Sequence, residues 1–337
     1  MCIMNGYERY HAMLQGEAVD YLPRIPILMQ YAAEYIGSDY AAFASDYRVM
    51  VQANLKCAQD FGIDLLSVMS DPYCETQGFG AQMTYQKNAP PRSTHPLEDD
   101  PDISKLLTPD PYQSTRMRNR LEAIKQYHAI QGKVLPILGW VEGPAAEAAD
   151  LRDVSNFMMD LLDDEGYVCA VMDRCVEVAI AFAQAQVECG ADTIGIGDAV
   201  ASQVSPDIYH RLIQPREKQL VEAIQNMGAI ARLHICGNIT HLLPGIADLH
   251  VDILDVDHMV DIVAVRQVVG NHVCLAGNLN PVNAVMRSNP EQIHQQFTEV
   301  YKQVGNPFMV NAGCEIPSGT PVENLKAVCK PIACLPS

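Results

Sequence analysis

Three residues have the types and spacing of a metal site: His234, Cys236 and Cys314. In an extended segment, residues two apart project from one face, about 6.6 Å apart along the strand. The imidazole of His234 and the thiol of Cys236 can therefore close on a single ion. Zinc takes nitrogen at about 2.0–2.1 Å and cysteine sulfur at about 2.3 Å. Cys314 lies far along the chain and joins the pair only if the fold closes the distance. One imidazole and two thiolates leave one tetrahedral position free, as in catalytic rather than structural zinc sites. Glu142 or Asp198 would fill that position reversibly. The competing reading of the same letters is a hydrogen-bonded core histidine and two packing cysteines.

Other polar residues follow the same positional rule. Apolar, strand-like runs are succeeded by Ser70-Asp71, Glu142-Gly143, Asp198, His234 to Asn238, Asp257-His258, Asn278, and Gly313 to Glu315. Asp71, Glu142 and His258 are the candidate catalytic groups, for acid–base work or substrate orientation. Asn238 and Asn278 are candidate cofactor-binding residues. A capping role for His258 fits its position as well as substrate orientation does. The fifteen methionines, Met29 among them, read as core filler.

The elements that must position these residues are short β-rich runs alternating with helical ones. Strands are expected at Arg24–Met29, Asp64–Met69, Val134–Trp140, Thr193–Gly197, Ala231–Cys236, Ile253–Asp257, Val273–Ala276 and Phe308–Asn311. They lack strict alternation, as strands covered on both faces do. A long amphipathic helix is expected over Asp163–Gly190. Ser205-Pro-Asp and Asn289-Pro-Glu each place an N-cap before a first-turn proline, the second opening a helix that runs to about Gly305. Eight strands alternating with helices predict an α/β fold, a single (β/α)8 TIM barrel. No G-x-G-x-x-G follows the first strand, which disfavours a doubly wound sheet. The expected domain is single, residues 1–337, with an N-terminal extension and a loop insertion over Asn88–Pro111. The polar residues at the strand ends would then share one face, where such barrels build active sites.

The bulk composition agrees. The chain has 337 residues, 48% apolar, enough for a large buried core. No apolar stretch reaches the roughly 18–20 residues of a membrane helix. The N-terminus lacks the basic and apolar regions of a signal peptide, so a cytoplasmic location is expected. A net charge of −18 disfavours nucleic acid and anionic membrane as partners. Eleven cysteines, an odd number without a secretory signal, argue for reduced thiols, packing or metal ligands rather than a disulfide framework.

With these residues in place, the chain resembles the uroporphyrinogen decarboxylase superfamily over nearly its whole length. The likeness rests on the opening Glu8-Arg-Tyr-His-Ala-Met-Leu-Gln-Gly-Glu, on Ser70-Asp71, and on the closing Asn311-Ala-Gly-Cys-Glu-Ile-Pro-Ser-Gly-Thr-Pro. It implies a (β/α)8 fold, matching the strand count. Asp71 matches the decarboxylases' catalytic aspartate. The basic R-x-x-G-R segment that decarboxylases carry after strand one is missing, however. Met29-Gln-Tyr-Ala-Ala-Glu-Tyr-Ile-Gly stands there instead, and Cys314 replaces a histidine. The pattern looks like the corrinoid-dependent methyltransferase branch, which includes methylcobamide:coenzyme M methyltransferases. That likeness implies zinc on His234, Cys236 and Cys314, and a corrinoid supplied by a partner protein. It also implies a small methyl donor or acceptor, such as a thiol or a methoxylated aromatic, with the direction of transfer open. Corrinoid modules carry a D-x-H-x-x-G loop. The nearest lookalike, Asp248-Leu-His-Val-Asp-Ile253, lacks the glycine and reads as a helix-to-strand turn. Two rivals remain: a metal-free decarboxylase or lyase using Asp71 and Tyr73, and a non-enzymatic tetrapyrrole or corrinoid carrier.

Overall fold

The structure is a computed structural model that describes residues 3–335. Its centre is a parallel sheet built from β1 (Leu66–Ser67), β4 (Ile137–Glu142), β5 (Thr193–Gly197), β6 (Ile230–His234), β7 (Ile253–Val256), β8 (Cys274–Leu279) and β9 (Phe308–Ala312), paired in that order. Every residue of β5 and β9 is buried. That explains the continuous apolar reading of these strands, which are covered on both faces. Because the strands are parallel, their C-terminal ends lie on one side.

Seven strands form the sheet where eight were expected. Arg24–Met29 is not a strand: it contributes one isolated bridge, Arg24 to Val310. The segment nevertheless reaches both edges of the sheet. Ile25 N–H donates to Val310 O and Val310 N–H to Pro23 O, each at 2.8 Å; on the other side Asp64 N–H donates to Arg24 O at 2.8 Å. Pro23 and Pro26 remove two backbone donors, so no regular ladder can form. Side chains do the holding instead. Asp64 Oδ2 accepts from both the backbone N–H and Nε of Arg24 at 2.9 Å, and its Oδ1 accepts from Arg9 Nη1 at 2.6 Å.

The expected loop insertion over 88–111 is also more ordered than its prolines suggested. Ala89–Ser93 forms β3, antiparallel to β2 (Met83–Gln86), and Ile103–Lys105 makes one 3-10 turn. A two-stranded ribbon leaves free edges, where Pro90 and Pro91 do no harm. The N-terminal extension is the helix Gly6–Leu14, closed by a capping box between Asn5 and Glu8.

Caps and breakers act where the sequence placed them. The long helix runs Glu165–Glu188, capped by Asp164 on Tyr167 N–H at 3.0 Å. Asn289 caps Pro290–Val304 through Gln292 N–H at 3.0 Å. Among the described residues, no helix is long and apolar enough to cross a membrane.

Candidate metal centre

His234 is the last residue of β6, registered between Gly197 of β5 and Asp255 of β7. Cys236 follows after one residue, and Gly237 then turns the chain at φ +96° while its N–H donates to Asp257 Oδ2 at 3.0 Å. That backbone angle favours glycine. Cys314 comes two residues after β9. Gly313 before it lies so close to the backbone nitrogen of His258 that any Cβ would collide. This close approach carries Cys314 to the other two residues.

The donor atoms form a compact triangle. His234 Nε2 is 2.9 Å from Cys236 Sγ and 3.8 Å from Cys314 Sγ, and the two sulfurs are 3.7 Å apart. Ligands at the zinc bond lengths given above would stand about 3.8 Å apart for two sulfurs and about 3.6 Å for sulfur and nitrogen. Two of the three sides match, and the third opens to fit through a small side-chain movement. Without an ion, hydrogen bonding from Cys236, then from His234, outweighs burial and draws the Cys314 thiol down to about 4. Cys236 is pushed up by the same hydrogen bond. The donor set is soft, nitrogen and sulfur, and suits zinc.

Behind the triangle, His234 Nδ1 makes no hydrogen bond, and Asp255 Oδ2 stands 3.9 Å away. Asp255 is fixed by Arg232 at 2.7 and 2.8 Å and by Asn311 Nδ2 at 3.2 Å. A carboxylate behind the non-ligating nitrogen is the usual outer support of a metal-bound histidine.

The three residues open into a cavity of about 210 Å³ that is also lined by Ile27, Met29, Met69, Pro72, Trp140, Glu142, Glu315 and Asp71. Trp140, the sole tryptophan, is registered opposite Gly195. Its ring lies where side chains at Gly195 and Gly197 would otherwise sit. Trp140 Nε1 donates to Glu142 Oε1 at 2.8 Å. Burial, then the neighbouring Glu75, pushes the Glu142 carboxyl well above the usual range.

Asp71 is locked. Arg116 donates to its two oxygens at 2.5 and 2.6 Å, and Ser70 Oγ donates to it at 2.5 Å. Burial opposes its ionisation, but Arg116 outweighs burial and holds the carboxyl below the usual range. Tyr73 donates its backbone N–H to Asp71 Oδ1 at 3.2 Å, and burial raises its phenol to about 12.

Asp198, Asn238, Asn278 and His258 are not among the cavity's lining residues. Asp198 turns to the helix Pro144–Arg152, accepting from Ala146 N–H at 2.7 Å and Ala145 N–H at 3.3 Å. Exposed Asn238 accepts from Thr240 N–H at 3.0 Å, closing a local turn. Asn278 Nδ2 donates to Val260 O at 2.8 Å, tying β8 to the loop after β7. His258 Nδ1 pairs with Asp257 Oδ1 at 2.9 Å. Sequence reasoning missed Trp140, Arg116 and the wall position of Met29 and Met69. The Gly195-x-Gly197 alternation beside a lone tryptophan was the available signal for the first.

A family model described as uroporphyrinogen decarboxylase (URO-D) matches residues 5–333. Methylcobamide:CoM methyltransferase MtaA of Methanosarcina barkeri is 29% identical over 329 residues, covering 95% of each chain. Methylcobamide:CoM methyltransferase MtbA of Methanosarcina acetivorans is 30% identical over 326 residues, again covering 95% of each. A solved methyltransferase structure from Methanosarcina mazei superposes with a TM-score of 0.88 at 27% identity, covering 96% of this chain and 97% of that one.

Proposed function

The chain belongs to the uroporphyrinogen decarboxylase family, and within it we propose a zinc-dependent methyltransferase that moves a methyl group between a corrinoid on a partner protein and a small substrate. The observation that carries this reading is the cluster of His234, Cys236 and Cys314, whose donor atoms lie within 4.8 Å of one another at the wall of a cavity. Methyl transfer is supported by the relatives, whose names specify a methylcobamide. Eight-fold closure of the barrel, with Arg24–Ile27 between β1 and β9, belongs to the same proposal. It is supported by that segment's hydrogen bonds to both edges.

Bound at this site, zinc would act as a Lewis acid that lowers the pKa of a coordinated thiol or polarises a methyl donor. The protein's part is to present two thiolates and one neutral imidazole, with the Asp255 carboxylate standing 3.9 Å behind the ring. Trp140 and the methionines exclude water, and Glu142 holds an exchangeable proton at its carboxyl, close to the substrate. A cavity of about 210 Å³ is smaller than the roughly 300–1,000 Å³ typical of drug-sized ligand sites. A corrin therefore fits at its mouth, not inside, which supports delivery on a partner and weighs against a carrier role. The decarboxylase alternative loses support because both Asp71 oxygens are engaged by Arg116.

Metal analysis tests the reading. Purified protein should hold about one zinc per chain, as for a three-ligand catalytic site, and Cys314→Ala should abolish it. Loaded protein should demethylate methylcobalamin with thiols, or methylate cob(I)alamin from a methoxylated aromatic. Protein that neither contains nor takes up zinc, and leaves both corrinoid spectra unchanged, would refute the proposal.

A further inference from the structure

The walls around the metal ligands carry a charge pattern that bears on which substrate enters. Among the described residues lining the cavity there is no lysine or arginine. Its ionisable residues besides the ligands are three acids, Asp71, Glu142 and Glu315. A carboxyl is neutral or negative, so no distribution of protons among them gives an anion a counter-charge. Arg116, which approaches through Asp71, has both oxygens of that residue as partners, and the two side chains are 3% and 0% exposed. The N-terminus of Pro144–Arg152, which begins two residues after Glu142, would ordinarily attract an anion. Asp198 occupies it by accepting from Ala145 and Ala146. The remaining wall is apolar: Ile27, Met29, Met69, Pro72 and the Trp140 ring.

We infer that the cavity takes a small thiol bearing no anionic group, or the methyl thioether made from it, and discriminates against the sulfonate-bearing coenzyme M that the relatives' names specify. This rests on the methyl-transfer reading above. In the reaction concerned, the sulfur–carbon bond forms as the carbon–cobalt bond breaks. The bonding electron pair stays on cobalt, and the thiol proton is released to the medium. A sulfonate carried on the same thiol would lie in the apolar cavity without a cation, and an uncompensated buried charge is costly. A neutral thiol instead gains from burying its alkyl group against Trp140 and the methionines.

Three thiols of similar length separate the possibilities: 1-propanethiol (neutral), cysteamine (cationic) and 2-mercaptoethanesulfonate (anionic). Affinity for zinc-loaded protein is measured by calorimetry, alongside methyl transfer from methylcobalamin. Propanethiol should bind at least about tenfold more tightly than the sulfonate, the penalty expected for an unpaired charge. Cysteamine, whose ammonium meets only acids, should also bind more tightly than the sulfonate. In Met29→Arg, which sets a cation in the wall, the gap to the sulfonate should shrink. Sulfonate binding as tight as propanethiol binding in the unaltered protein overturns the inference, as does sulfonate binding tighter than cysteamine binding. In either case methyl transfer itself still stands. A protein that holds no zinc and methylates none of the three sinks the underlying reading, and this inference with it.

Discussion

At His234 the two ring nitrogens do different work. Nε2 faces the sulfurs, 2.9 Å from Cys236 Sγ, while Nδ1 makes no hydrogen bond and stands 3.9 Å from Asp255, so the ring is held from its ligand side. Asp71 shows the opposite arrangement, a candidate catalytic carboxylate already committed to a cation. Replacing Arg116 by methionine would leave that carboxylate buried and unpaired, at a cost of about 3–5 kcal/mol. Urea unfolding should show the loss, and Arg116→Met combined with Asp71→Asn should recover much of it. If the double variant is no more stable than the single one, packing rather than charge pairing accounts for the effect. The residue types at the metal cluster were legible in the sequence as H-x-C, but the strand expected over Ala231–Cys236 ends at His234. Cys236 is therefore placed by the loop before the Gly237 turn rather than by strand alternation. Arg116 was not legible: it approaches Asp71 from the helix Thr115–Gln131, and no local pattern reports a contact between distant segments.

At the level of elements, strand existence was readable and strand completeness was not. β5 and β9 stand as expected because β-rich apolar runs have no other stable use in a chain with helices between them. Arg24–Met29 is as apolar, yet Pro23 just before it and Pro26 within it cost it the ladder, and Asp64 holds it through an ion pair and a backbone hydrogen bond with Arg24 that periodicity does not reveal. The hairpin of β2 and β3 was hidden by the reverse error, since prolines in a ribbon edge look like a loop. The turn after β9 is where an element places chemistry. Gly313 lets Cys314 pass against the backbone of Asp257 and His258. Gly313→Ala should push the Cys314 loop outward and lower zinc affinity by at least about tenfold, the scale seen when supports of metal ligands are removed. Competition with a zinc-binding dye reads the affinity, and circular dichroism confirms that the fold persists. Unchanged zinc affinity would mean that the loop relaxes without moving Cys314.

Across the whole molecule, the unusual feature is acid inside as well as outside. Glu75, Glu142, Glu147, Asp198 and Glu217 are all buried on different elements around the sheet, and Asp150 lies beside them. Burial is the first cause of every shift. It raises Glu75 and Asp198 to about 7 and Asp150 to about 8, and lifts Glu142, Glu147 and Glu217 well above the usual range. In the unfolded chain these groups titrate near 3.8 or 4.5. Between those values and about 8, the folded state therefore holds protons that the unfolded state has released. Stability changes with pH in proportion to protons bound by the unfolded state minus those bound by the folded state, a difference that is negative here. Stability should fall as pH rises through this window. The opposite class is smaller: Asp71, with its carboxyl held low by Arg116, adds no slope above about pH 5. Cys314, drawn down from 9.0 to about 4, opposes the trend by a single proton against those of six acids. Denaturant unfolding at pH 5.5 and pH 8.5, with chelator present to remove the metal's own proton linkage, should give the higher midpoint at pH 5.5. A midpoint that is flat or rises toward pH 8.5 would show that the interior acids are ionised in the native state. In that case Glu142 would not hold a proton beside the substrate.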